Sequence, residues 1–497
     1  MSVHINPDPT LQNNLMSFGW ECTIPNSLIL GIQNKNISEI ENNADIIGIS
    51  GITSVSECFN RFYSGKLLEI RGEGMLPFFV TPEHPVLVMN NIQQNNKTVI
   101  GDIPFWCKAE NLLEKHSHKT GHSLIIPRNK LFIDISLLDL QIFRKGPKGR
   151  MSATEFPLNE NTAWILGLYT AEGSPNDVGI QFSLHKKEIF LINKIKEISK
   201  KELKHSVYLR TKENCTIANI SSKILSRAFP FWCGKGAKNK KIPDFVLFNK
   251  DEKILKSFID GYFLGDGCIT ISKGTKNRSA VTTSKILALQ LQLSFARMGI
   301  FSHVYLSKKA GIEKILGRYC KTNNKYSILI NLNLKRTFIK ITDSFIIVPI
   351  RKIKKVDYFG NVYNIKTNDN TYLLSNAVVH NCDKGWHPLI QELIDELNKL
   401  PDEIEVLQVK EKYAGLRFYV SGASEKAYKI ISLYENYSYH ICEYCGKFWT
   451  AKERVNHGWY KTLCDKHTKK WLDGTLYESK WKKFWRLLFY KLTGKYR

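Results

Sequence analysis

With 497 residues the chain is too long for one ordinary domain, and a hydrophobic content of 43% is enough for packed cores. No apolar run reaches the roughly 18 residues that a spanning helix needs, and the opening MSVHINPDPT has no basic-then-apolar leader; a membrane protein is excluded and a cytoplasmic one expected. A formal charge of +26 calls for a polyanionic partner, while eleven irregularly spaced cysteines read as thiols and metal ligands rather than a disulfide framework.

Residues 1–21 form an extended lead, with Pro7, Pro9 and Asn13-Asn14, that cannot fold alone. From Cys22 to about Leu140, short apolar runs (Ser27–Ile32, Leu67–Ile70, Phe78–Val80, Val86–Met89) broken by Asn, Gly and Pro predict strands. A second strand-like stretch, Ile346–Ile353 and Tyr358–Leu374, resumes after a long interruption and implies one β domain split by an insertion. The segment 22–381 holds 51 basic against 29 acidic residues, so +22 of the +26 lies there and points to nucleic acid.

Inside the interruption, Arg144-Lys145-Gly146-Pro147-Lys148-Gly149-Arg150 is a basic linker, and Asn161 is the expected cap of a helix running to Glu172-Gly173. About ninety residues later Phe258–Gly267 repeats the pattern: an apolar helix, glycine at the same offset, then acid and glycine. Small residues at Gly167, Ala171, Gly261 and Gly265 let two such helices pack backbone to backbone, which sets Glu172 beside Asp266. Two carboxylates that close repel unless a cation lies between them, so a Mg²⁺ site is the physical expectation.

Further on stands His380-Asn381-Cys382. An Asn before a Cys can attack its own carbonyl with its side-chain amide nitrogen and cut the chain. After it come an amphipathic helix over Leu389–Leu400, strands within Val406–Val420, and Cys442-x-x-Cys445 followed eighteen residues later by Cys464-x-x-His467, the spacing of a structural Cys₃His zinc site. The tail Trp481–Arg497 has six basic residues, no acids, and interleaved aromatics.

Three resemblances gather these motifs. Cys22, Thr81-Pro82-Glu83-His84, Val362-Tyr363-Asn364-Ile365 and His380-Asn381-Cys382 together resemble an intein. That resemblance implies an all-β horseshoe splicing domain, in which Cys22, Asn381 and Cys382 are the reacting groups, Thr81, His84 and His380 assist, and no cofactor is needed. The family commonly has Asp where this chain has Asn364 and a His where it has Asn370; Asn holds a hydrogen bond but takes no proton, which implies slower splicing. The two acid-ended helices, with Lys241-Ile242-Pro243 between them and Leu291–Ile300 after, resemble the two-repeat LAGLIDADG homing endonucleases over 157–340. That implies an α+β monomer cutting double-stranded DNA with Mg²⁺ on Glu172 and Asp266, helped by Lys241, with Lys325 the candidate of the second half, and with strands Val178–Leu184 and Arg278–Thr283 along the major groove. Joined across the gap, 1–21 and 382–497 resemble small zinc-ribbon-like proteins of tailed phages.

The expected architecture is multidomain: host segment 1–21, splicing domain 22–145 and 346–381, endonuclease 157–340, and a small α+β host domain 382–497 holding Zn²⁺ on Cys442, Cys445, Cys464 and His467. The alternative is a non-splicing endonuclease fused to a zinc-binding phage regulator.

Overall fold

The computed structural model describes residues 22–472 apart from 95–96, 101–103, 113, 115–120, 129–132, 145–153, 273–274, 316, 332–338, 370, 381–385, 403, 445, 449–450 and 457–458. The expectations for Asn370, Asn381, Cys382, Cys445 and the basic tail lie outside the described residues.

The chain divides into two compact units, one of residues 1–71, 77–125 and 349–497, the other of 72–76 and 126–348. The interruption is therefore wider than the 157–340 read from the repeats, and 126–145 goes with the repeats rather than with the first β stretch. The reason is visible at Ile133, whose backbone pairs with Asn249, and at Asn249, whose side chain donates to the Ile135 carbonyl.

The β stretches build a sheet of eleven strands. Its main path runs Thr371–Leu374, Ala377–His380, Pro85–Gln94, His122–Pro127, Phe345–Thr367, Gly51–Gly72 and Asp45–Gly48. The two long strands, of 22 and 23 residues, come from opposite sides of the interruption. Of the expected runs Ile346–Ile353 and Tyr358–Leu374, the first joins the second as far as Thr367 in one strand, and Thr371–Leu374 is a strand of its own.

The unit of 126–348 is built twice. The helix Glu160–Glu172 is followed by an antiparallel sheet in the order Gly173–Pro175, Gly179–His185, Cys215–Ser221, Val207–Lys212; the helix Glu252–Gly265 is followed by Gly267–Ser272, Thr275–Thr282, Lys325–Asn331, Ser302–Lys308. Ile180, Phe182, Leu184, Ala218 and Ile220 alternate as the buried face of the first sheet, as period-two patterning requires. The first helix is capped by Asn159, not Asn161. Asn159 accepts from the Thr162 N–H and Thr162 returns a bond to the Asn159 N–H, whereas Asn161 turns outward to Glu202.

The two repeat helices pack at minimal separation. A Cβ added at Gly167 would lie 1.9 Å from the Phe258 carbonyl oxygen, and one at Gly261 would lie 2.1 Å from that of Trp164. These are glycines because another backbone fills the space.

Residues 386–441 form a small α+β body: helices His387–Leu397 and Glu425–Ser438 close Leu389, Leu393, Leu416, Phe418 and Ile431 over the hairpin Glu405–Lys412/Gly415–Ser421. A second hairpin, Ala451–Asn456/Trp459–Cys464, leads into the helix Asp465–Leu472. Among the described residues no helix is long and apolar enough to cross a membrane.

The helix pair yields a prediction. Gly167→Ala or Gly261→Ala forces the backbones apart and costs on the order of 2–4 kcal/mol, whereas Gly311→Ala, where an added Cβ meets nothing within 4 Å, stays within about 0.5 kcal/mol of the parent. Calorimetric unfolding of the three variants checks this; equal losses at all three positions would refute it.

Candidate functional site

Glu172 ends its helix and Asp266 caps the other. Both acids thus stand at helix C-termini, where the carbonyl dipoles disfavour negative charge. The Glu172 Cγ lies 3.0 Å from the position of a Cβ on Gly265, so the missing side chain is what admits the first acid beside the second. Burial, then the Asp266 carboxylate, pushes the Glu172 carboxyl above its ordinary range; burial does the same to Asp266, opposed by Lys240 and by the Tyr262 hydroxyl. Glu172 is half-buried and Asp266 reaches solvent.

The lysine serving this pair is Lys240, not Lys241. Its ammonium donates to the carbonyls of Tyr169 (2.6 Å) and Gly173 (2.8 Å), capping the first helix, and lies 4.4 Å from the centre of the Tyr169 ring. Burial lowers its pKa, against the opposing pull of Cys233, Asp266 and Glu172. Lys241 instead faces Asp244, whose carboxyl burial raises to about 7. The segment is clamped in this register by Ser284, which donates to the Lys240 carbonyl, and by Gln290, which bonds both the N–H and the C=O of Ile242. Two adjacent lysines before Ile-Pro gave sequence reasoning no means of choosing. Lys325 stands beside Glu313, paired in register with Lys308.

Cys22 is fully buried. Its N–H donates to the Thr81 hydroxyl at 3.1 Å and its carbonyl accepts from the Thr81 N–H at 3.0 Å. Thr81 thus holds both backbone groups of Cys22. His84, fully buried, is fixed by backbone bonds to Thr81 and Ala109 and meets the Tyr372 ring edge-on at 6.2 Å. Tyr372 donates to Asn364, which also accepts from the Ile365 N–H, so this Asn acts as an acceptor to both. Thr23 bridges to Val80 and Tyr363, and at the other end Val379 pairs with Val86 and His380 with Thr371.

In the C-terminal body, Cys442, Cys464 and His467 are buried with their ligand atoms all within 4.8 Å of one another. The His467 Nδ1 lies 3.5 Å from the Cys442 sulfur and 3.1 Å from the Cys464 sulfur. Gly446, at φ +72°, lets its N–H return to the Cys442 carbonyl and forms a knuckle. A tetrahedral zinc ion with metal–nitrogen bonds of about 2.05 Å and metal–sulfur bonds of about 2.3 Å sets nitrogen and sulfur roughly 3.6 Å apart; the Cys442 spacing matches this and the Cys464 spacing lies somewhat inside it, so the three could hold a zinc ion.

Residues 253–339 match the model of a LAGLIDADG-like domain. The chain is thus a multidomain protein carrying a LAGLIDADG-like domain, and the matched stretch is the second of the two repeats. Among curated proteins it is 25% identical to an ATP-dependent DNA helicase Hel308 of Thermococcus kodakarensis over 76% of this chain and 38% of that one. It is 27% identical to an iron-sulfur cluster assembly SufBD family protein of Mycobacterium bovis (61% and 36%), and 25% identical to a DNA polymerase of Thermococcus litoralis (58% and 21%). The chain therefore spans well under half the length of each. Among solved structures, I-DmoI in complex with DNA and Ca is 14% identical, with a TM-score of 0.25 over 35% of this chain and 83% of that one. The N-terminal LAGLIDADG domain of DUF199/WhiA is 18% identical, with a TM-score of 0.23 over 35% and 78%.

The raised acids carry a sign. A carboxyl whose pKa is higher folded than unfolded costs stability as pH rises past its ordinary value, and the cost disappears below that value where both states are protonated. Glu172→Gln should therefore raise the metal-free unfolding free energy at pH 7.5, by up to about 1 kcal/mol given partial solvent screening, with no difference from the parent near pH 3. Adding Mg²⁺ or Ca²⁺ should stabilise the parent and leave Glu172→Gln and Asp266→Asn unmoved. Calorimetry with and without chelator reads both; a metal response that survives either substitution would remove the acids from the metal site.

Proposed function

We propose that the chain is a self-splicing intein, residues 22–381, interrupting a small zinc-binding host protein of residues 1–21 and 382–497 and carrying a two-repeat homing endonuclease. The observation that carries the splicing half is the attachment of both ends of the insert to one segment. Thr23 bridges to Val80 and Val379 pairs with Val86, so the neighbours of Cys22 and His380 are held to the two ends of the seven-residue stretch Val80–Val86. The relatives support the same reading. A helicase, an iron-sulfur assembly protein and a DNA polymerase share no trade, yet each matches most of this chain over a minor part of itself, as expected of a module that moves among hosts.

In the proposed sequence the Cys22 sulfur attacks the Glu21 carbonyl; the amide C–N bond breaks, a thioester forms, and the proton passes to the Cys22 nitrogen. Thr81, already bonded to that N–H, orients the leaving amine, and His84 acts beside it. Cys382 then displaces the Cys22 thiolate from the thioester. Asn381 cyclises through its side-chain nitrogen, cleaving the bond to Cys382 with His380 as proton partner, and an S-to-N shift restores a peptide bond. Asn364, in hydrogen bonds where the family has Asp, supports Tyr372 without taking a proton.

The endonuclease reading is supported by the LAGLIDADG-like match and by the paired acids. Glu172 and Asp266 would hold the divalent metal, which when bound supplies charge stabilisation and an activated water. Lys240 holds the helix end and offsets the pair's charge. Double-stranded DNA is the substrate class, with the uninterrupted host coding sequence across the Glu21–Cys382 join as the target.

Intact mass after expression tests the splicing half. The parent should yield a 137-residue ligated product and a 360-residue insert; Cys22→Ala should block N-terminal cleavage and Asn381→Ala release at Cys382. A stable 57.2 kDa chain without smaller species would favour the non-splicing endonuclease fused to a zinc-binding phage regulator. For the host domain, the ligated product should carry one zinc per chain through Cys442, Cys445, Cys464 and His467, and His467→Ala should unfold the knuckle, because such binding energy is largely folding energy. Metal analysis near zero under reducing conditions would sink the zinc site.

A further inference from the structure

The two repeats follow one plan until the connection between their last two strands. In the first repeat Lys212 pairs with Cys215, and Glu213-Asn214 alone close the turn, Glu213 at φ +52°. In the second, Lys308 pairs with Lys325, and the sixteen residues between them contain a further two-stranded sheet, Gly311–Ile315 with Arg318–Thr322, turned at Gly317 (φ +82°). A register shift between Leu306 and Lys308 marks a bulge at the point where this hairpin leaves the main sheet.

The hairpin has two unlike faces. Cross-strand partners share a face, so Glu313 and Cys320 lie on one side, and Ile312 with Lys321 and Lys314 with Tyr319 on the other. The first face is tied down: Glu313 pairs with Lys308 at 2.7 Å and accepts from Thr322 at 2.8 Å, and the Thr322 hydroxyl also reaches the Gly311 carbonyl. The second is open, with Ile312 76% and Tyr319 78% exposed and Lys314 and Lys321 exposed between them. From Lys308 to Lys325 there are six basic residues and one acid, and that acid is spent on Lys308. A two-stranded ribbon with a solvated face of alternating lysine and bulky apolar groups suits a phosphate backbone flanked by sugar and base edges.

We propose that the 311–322 hairpin is a DNA-binding arm belonging to the second repeat alone, which lengthens the footprint on one side of the cleavage centre and so fixes the direction in which the protein sits on its target. The proposal rests on the endonuclease reading. Five residues per strand reach roughly 16 Å, which is about five base-pair steps of B-DNA at 3.4 Å. The first hairpin of the second repeat is also longer, Gly267–Ser272 against Gly173–Pro175, but it pairs within the main sheet; the arm adds an unsymmetrical grip outside that sheet, which the acids and the helix pair cannot supply.

The test is hydroxyl-radical footprinting of the full chain carrying Cys22→Ala and Asn381→Ala, which blocks both cleavages and serves as the parent here, on a duplex centred on the host join, with the salt dependence of binding measured alongside. Two variants accompany the parent: Lys314→Ala/Tyr319→Ala/Lys321→Ala, which touches only the open face, and replacement of residues 309–324 by Asn-Gly, which restores the short turn of the first repeat. The parent should protect one flank about five base pairs further than the other; both variants should lose that excess, and the triple variant should flatten the log–log salt slope by about two, one unit per lysine removed. Two equal flanks in the parent, or an unchanged footprint and slope in the triple variant, would overturn the arm while leaving the endonuclease reading intact. A parent that binds the join duplex no better than an unrelated one overturns the endonuclease reading itself, and the arm with it.

Discussion

In the repeat unit everything depends on how closely two helices approach. Where Gly167 and Gly261 would carry a methyl group, each meets a carbonyl oxygen of the other helix at about the length of a hydrogen bond or less. That contact fixes the axial position of the pair, and the axial position brings Glu172 and Asp266 to the same end. The arrangement is costly: two acids at two helix C-termini repel each other and the helix dipoles alike. Lys240 meets part of the cost by taking the Tyr169 and Gly173 carbonyls. On the proposed reading, the rest is a destabilisation that a bound cation would relieve.

The β sheet answers to a different constraint, that of closing on itself across a long insertion. Strands Gly51–Gly72 and Phe345–Thr367 are neighbours in the sheet although nearly three hundred residues separate them in the chain. The sheet needs both strands and part of what lies between them, since Phe78–Val80 pairs with the first and His122–Pro127 lies beside the second. Cys22 and His380 likewise arrive from opposite ends of the module, and their neighbours attach to the two ends of Val80–Val86.

Much of this was legible in the residues because each feature has a local signature. The glycine spacing in Ala163–Gly173 and Phe258–Gly267 gave the helix contact, the acid at each end gave the pair, and alternating apolar runs gave the strands. What escaped were choices settled by tertiary contacts. Lys240 or Lys241 differ by one register step, and that step is set by Ser284 and Gln290, some forty to fifty residues away. The N-cap fell on Asn159 rather than Asn161 because Thr162 completes a reciprocal pair with the former. The boundary at Ile126 could not be read at all, since Ile133 and Asn249 pair across more than a hundred residues with no motif at either position. The hairpin of 311–322 was hidden by its own composition, since a lysine-rich stretch with Gly311 and Gly317 reads equally as a solvated loop.

The separation of the two chemistries has a physical logic on the proposed reading. Splicing needs reacting thiols shielded from water, and the sheet supplies the shielding: Cys22 packs with Tyr63, Leu67 and Val362. DNA cleavage needs an open, charged face that a large polyanion can enter, with metal ligands at a solvent-reached edge, as Asp266 is. One surface cannot serve both, because the desolvation that holds an amide ready would bar a phosphate backbone, and the lysines that attract DNA would lower the barrier to water. Lodging the second activity in a unit of its own, inserted where the sheet tolerates any length of connection, lets each environment keep its dielectric. The charge follows this division: the segment 22–381 holds most of the chain's positive excess, and within it the six basic residues of 308–325 stand on solvent-facing strands and turns rather than in the sheet that encloses Cys22.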